Sequence, residues 1–168
     1  MTGILLALSY TALLLFAMGR FRFFTAVPHL PLRTLRWLFL LKVAAGMALW
    51  AVYTYAYPDR STADIFKYFD DSFHMFKALP EHPMDFLRMF FGYGNDTPEF
   101  QHAYYQQMNN WERRFESGLY NDAHTIIRFN AAVRLVSFGE FHVHTVFAAF
   151  LSFLGSVGIY RVFVARLV

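Results

Sequence analysis

The sequence predicts an all-α fold: a polytopic helical membrane protein of about three transmembrane helices with an extracytoplasmic helical insert. Three observations carry that reading. Residues 2–18, 37–57 and about 141–164 are long apolar runs with few or no charges. All twelve acidic residues lie between Asp59 and Glu140. Apolar residues make up 57% of the chain and aromatic residues 20%, with 21 Phe against 3 Trp, above an ordinary globular composition.

Charge distribution decides between two classes of partner. The net charge of +3 resolves into +7 outside residues 59–140 and −4 inside them. Basic ends flanking apolar runs follow membrane topology, not a phosphate-tracking stripe, so nucleic acid is excluded as a partner and the lipid bilayer takes its place. No cysteine is present, which removes disulfide frameworks and thiolate metal sites.

The first run, TGILLALSYTALLLFAM, is just long enough to cross about 30 Å of hydrocarbon. Its charges, Arg20 and Arg22, follow it, whereas a cleaved signal peptide carries them in front. It therefore reads as an uncleaved first span. The link that follows holds Arg20, Arg22, Arg33 and Arg36 without an acid, and Pro28 and Pro31 interrupt it. Four arginines in so short a loop place it in the cytoplasm, with the N-terminus outside.

The second span, residues 37–57, runs outward and contains Lys42 about one turn in. That lysine reads as an anchor that snorkels to the cytoplasmic edge. Ala44, Ala45, Gly46 and Ala48 suit close helix packing. The chain thus divides into residues 1–57 (two spans and a basic loop), 58–138 (the insert) and 139–168 (a third span). Arg161 and Arg166 at the end of the third span fit a cytoplasmic C-terminus, giving a multi-pass protein of the bacterial inner (plasma) membrane.

Within the insert, Ser61-Thr62-Ala63-Asp64 has a capping-box pattern, Ser61 capping and Asp64 reaching back, for a helix that runs to Leu79 and stops at Pro80. A short second helix starts at Pro83 and ends near Gly92. Its Phe86, Leu87, Phe90 and Phe91 make it an expected interfacial helix lying on lipid. A third starts at Thr97-Pro98-Glu99 and ends near Gly118, with Phe100, Tyr104, Met108, Trp111 and Phe115 as a packing stripe. Asn121-Asp122 caps the segment that approaches the third span.

The candidate chemistry rests on carboxylates and arginines. Asp64 and Asp71 are seven residues apart, on one face of a helix. Glycosyl transfer requires a carboxylate that accepts the proton of an attacking hydroxyl or holds a divalent metal against a phosphate leaving group. The same residues also admit a plain reading: Asp64 as a cap, and Asp70 and Asp71 as solvated charges paired with His74 and Lys67. Arg128 and Arg134 could grip a phosphate, or pair with Asp122, Asp64 or lipid headgroups. His142 and His144, beside Glu140, point about 200° apart on a helix, so they line a bundle mouth more readily than they chelate an ion.

The order of parts resembles the GT-C superfamily, multi-spanning glycosyltransferases that use polyprenyl-phosphate-linked sugars. Ala63-Asp64-Ile65-Phe66-Lys67-Tyr68 stands where that family carries its loop aspartate, and Ile127-Arg128-Phe129-Asn130-Ala131-Ala132 where an arginine opens a span. The chain also resembles bacterial integral membrane proteins with the segments YPDRSTAD, QMNNW and NDAHTIIRFNA. The resemblance implies that Asp64 is the base or a metal ligand and that Arg128 contacts phosphate; the spacing on α-helices adds Asp71 as a second catalytic candidate and Arg134 as a second phosphate-binding candidate. The acidic loop follows the second span here, not the first, and there are three spans where the family has more. The expectation is therefore the N-terminal part of such a transferase, completed by further transmembrane helices or subunits. The alternative is a small non-enzymatic membrane subunit whose insert docks a partner protein.

Overall fold

The computed structural model describes residues 2–57, 59–60, 63–111 and 123–167, and all its regular structure is helical. Its contacts separate two compact units, Met1–Ala56 with Glu140–Val168, and Tyr57–Gly139.

The first unit is a bundle of α1 (Thr2–Met18), α3 (Leu32–Tyr55) and α8 (Phe141–Leu167), with a single turn, α2 (Arg22–Thr25), after α1. Two of these helices, Leu32–Tyr55 and Phe141–Arg166, are long and apolar enough to cross a membrane, while α1 is shorter at 17 residues. Only 11% and 17% of their most apolar windows are buried within this structure. Leu5, Leu8, Leu13, Phe16, Trp37, Leu41, Val162 and Phe163 all face outward. Each such side chain costs about 1.5–3 kcal/mol to leave in water, which makes lipid the medium this surface fits.

Side-chain pairs fix how the helices run. Trp50 packs on His142 and Phe39 on Phe150 and Phe153, so α3 is antiparallel to α8. Thr2 bonds Glu140 and Tyr10 packs on Phe147, so α1 runs parallel to α8. At the end of the unit formed by the arginine loop, Arg36 Nε donates to Leu15 O (3.1 Å), one of the carbonyls left open where α1 stops. There too Arg161 Nη1 donates to Phe23 O (2.8 Å) and Tyr160 Oη to Pro28 O (3.1 Å).

The second unit comprises α4 (Asp64–Glu81), α5 (Pro83–Phe91), α6 (Pro98–Ala103), a single 3₁₀ turn (Tyr105–Gln107) and α7 (Ala123–Ser137). Met75 and Ala78 of α4 share a core with Phe86 and Met89 of α5 and with Ala123, Ile127 and Ala131 of α7. Arg134 of α7 instead meets α4 at Phe69 and Ser72, so α4 and α7 are antiparallel.

Four details of the insert depart from the sequence-based expectation. Helix α4 is capped by Ala63 without a side-chain bond and has Asp64 as its first residue, so Asp64 does not sit at the third position of a capping box; Ser61 lies outside the described residues. The helix also continues through Pro80 to Glu81, because a proline in the last turn forfeits little of the hydrogen-bond ladder. On α5, Phe86 is buried and Phe90 packs against the core, so the lipid-facing set expected there is wrong: the exposed apolar residues are Met84, Leu87 and Phe91. Finally, the expected third helix breaks after Ala103, and Met108 is extended; Phe115 and the Asn121-Asp122 cap lie outside the described residues. Phe100, Tyr105, Met108 and Trp111 still reach the core from this broken path.

Candidate functional site

The three aspartates of α4 have three different environments. Asp71 is fully buried. Its Oδ1 accepts the backbone N–H of Asn109 (2.7 Å) and the Asn109 side-chain amide (3.0 Å), and its Oδ2 accepts the N–H of Asn110 (2.8 Å). Those two backbone donors are thereby satisfied outside any helical ladder, in the loop that follows the 3₁₀ turn. Asp71 is therefore neither solvated nor paired with Lys67; it locks a loop. Asp70 faces Arg60, which donates to it through Nε (3.3 Å) and Nη2 (2.9 Å), so its expected partnership with His74 is also replaced. Asp64 keeps its carboxylate open: its side chain is 65% exposed, and its contact is a 3.5 Å pair with Lys67.

The two arginines are held apart. Arg134 is buried, its Nε donating to Ser72 Oγ (2.8 Å) and its Nη2 to Phe69 O (2.6 Å), with its guanidinium over the Phe69 ring. Burial brings its pKa down to about 10, against the pull of Asp70. Arg128 lies six residues earlier on α7 and ends α5, its Nε donating to Met89 O (2.9 Å). Gly92 makes room for it: the residue adopts φ 70°, and a Cβ there would lie 2.9 Å from Arg128 Nη2.

Because α4 and α7 are antiparallel, Asp64 and Arg128 stand at opposite ends of the pair, about 18 Å apart along the axis. The fold thus gathers Asp64, Lys67, Asp70, Arg60 and Arg134 at the end where the chain enters and leaves the insert. It sends Arg128 to the other end. One phosphate cannot touch both Asp64 and Arg128.

Near Arg128 the structure shows a cluster that pattern reading missed. Trp111 is sandwiched between Tyr105 (4.5 Å) and His124 (3.9 Å), beside an open cleft of about 470 Å³ that Asp96, Thr97 and His102 also line. Tyr105 exchanges hydrogen bonds with Asn95, and burial pushes its hydroxyl up to about 12. Burial holds His124 below its ordinary value, opposed by its bond to Trp111 O. Both faces of the Trp111 ring are occupied, so it offers no open platform to a ligand. The only sequence signal was the turn-rich run Gly92-Tyr93-Gly94-Asn95-Asp96, which indicates a bend but no cluster.

In the first unit, His142 packs on Trp50 and His144 is buried. Among the described residues no three carboxylate, imidazole or thiol groups lie close enough to hold a metal ion. Lys42 does not reach for the end of its helix: its Nζ donates to Ser152 Oγ of α8 (2.8 Å), which replaces the snorkelling geometry expected from sequence. Comparison with protein-family models, curated proteins and solved structures found no match to this chain.

Proposed function

We propose that the chain is part of a multi-spanning glycosyltransferase that uses a lipid-phosphate-linked sugar at the outer face of the bacterial inner membrane, with the N-terminus outside and the C-terminus in the cytoplasm. The observation that carries this reading is the state of Asp64. Among the described residues it is the one aspartate of α4 whose carboxylate is both exposed and free of strong partners, since Asp70 is held by Arg60 and Asp71 by Asn109 and Asn110.

Asp64 accepts the proton of the acceptor hydroxyl as its oxygen bonds the anomeric carbon. The bond from that carbon to the phosphate oxygen breaks, and the lipid phosphate leaves with the electron pair. Lys67 supplies the positive charge beside Asp64 that such a leaving group requires. Arg128 is too far away for this, and its role here is to close α5.

The test is sugar transfer in native membranes by the complete reading frame, comparing Asp64→Asn with Asp70→Asn. Loss of a general base lowers turnover by about 10²–10⁴. Asp64→Asn should show that loss with normal expression, and Asp70→Asn should retain most activity. Full activity in Asp64→Asn refutes the assignment. It would then favour the second reading, a non-enzymatic docking subunit, which the exposed Met84, Leu87, Phe91 and Tyr93 of the insert support.

A further inference from the structure

Among the described residues, Lys42 is the only ionisable side chain in the middle of the apolar helices that lacks an aromatic or backbone role. Its acceptor Ser152 precedes Arg161 by nine residues, about 13 Å of helix rise. Arg161 is fixed at the arginine-loop end by Phe23 O. The ammonium is thus held well inside the apolar length, beyond the reach of that end.

No carboxylate meets it there. Residues 1–56 and 141–168 contain neither Asp nor Glu. Glu140 is engaged by Thr2 twelve residues from Ser152, near the opposite end of α8. An ammonium carries three donor hydrogens, and this one has a single hydroxyl acceptor among the described residues. Charged groups within a membrane face other helices or water-filled cavities and pair with one another.

The surface beside Lys42 is open. Ser152 is exposed, and so are Ala148, Gly155 and Ile159, at successive turns on one side of α8. A Cβ built on Gly155 or Gly158 meets nothing within 4 Å. Another backbone can approach closely there.

We propose that this face of α3 and α8 binds a transmembrane helix of a partner protein that carries an aspartate or glutamate level with Ser152. The carboxylate completes the hydrogen bonding of Lys42, and the small residues of α8 admit the helix. A second copy of this chain does not fit, because its membrane helices bring another lysine to this depth and no acid.

The test uses the full chain in phosphatidylcholine vesicles, labelled through Arg166→Cys, which is unique because the chain has no other cysteine. The probes are labelled Leu/Ala transmembrane peptides with Asp or Leu at the centre, and association is read by energy transfer. The Asp peptide should bind about tenfold more tightly than the Leu peptide. Lys42→Leu should abolish that preference, Lys42→Arg should keep it, and Gly155→Ile should weaken binding of both peptides. Equal binding of the two peptides overturns the proposal, as does a preference that survives Lys42→Leu. Self-association that outcompetes the Asp peptide also overturns it, in favour of a second copy. Loss of the preference when anionic lipid is added overturns it in favour of a lipid phosphate.

Discussion

Replacing Asp71 should destabilise the insert more than any other change to an acidic residue of α4. The carboxylate is fully buried and accepts three hydrogen bonds from one short loop, two of them from backbone N–H groups that have no alternative acceptor in a helix. Hydrogen bonds to charged groups contribute about 1.5–3 kcal/mol each, and a stranded donor costs about 1–3 kcal/mol. The Asn109 side chain is at the surface and recovers its bond from water, so two donors carry the loss. Asp71→Ala should therefore cost roughly 3–5 kcal/mol. Asp71→Asn retains one acceptor oxygen but turns an NH₂ toward a donor, and should cost roughly 2–3 kcal/mol. Asp70→Asn removes an exposed ion pair and should cost less than about 1 kcal/mol. The measurement is denaturant unfolding of the full chain in mild detergent, followed by Trp111 fluorescence in a Trp37→Phe, Trp50→Phe background. Hydrogen exchange at Asn109 and Asn110 should quicken in step with the Asp71 variants. If Asp71→Ala lies within about 1 kcal/mol of the parent, the loop is held by something else and the argument fails.

Stability of the insert should depend on His124 at mildly acid pH. Burial depresses its pKa from the usual 6.5, so the unfolded chain binds a proton more readily than the folded one. The contribution is complete above pH 6.5 and is lost as pH falls through the lower folded value, and His124→Gln should flatten that slope in thermal unfolding between pH 7 and 5. Gly92→Ala should cost about 1–2 kcal/mol, because a Cβ is disfavoured at φ 70° and meets Arg128; a melting temperature equal to the parent's would contradict this. Reporter fusions after Arg33 and after Tyr105 should report opposite sides of the membrane, and a common side would overturn the proposed topology.

The all-helical class was legible because lipid imposes a strong constraint on sequence. Runs of apolar residues, arginines beside them and acids excluded from them leave few alternatives, and the helices around Pro83–Phe91 and Phe141–Leu167 fall close to where their patterns place them. Local signals also marked the bend at Gly92. The site was less legible. Spacing put Asp64 and Asp71 on related faces of one helix, but periodicity does not say that the Asp71 carboxylate would be consumed by Asn109 and Asn110, thirty-eight and thirty-nine residues away.

Sequence by itself determined the helix content, the segregation of acidic from apolar segments, and the short list of aspartates and arginines able to do chemistry. Tertiary structure decided which members of that list remain available. The antiparallel pairing of α4 with α7 parts Arg128 from Asp64, the loop at Asn109 is fastened by a distant carboxylate, and Lys42 turns to Ser152 across the bundle. The physical reason is common to all three. A side chain's burial and partners are set by groups far away in sequence, and burial without a partner is so unfavourable that those distant groups dictate its role.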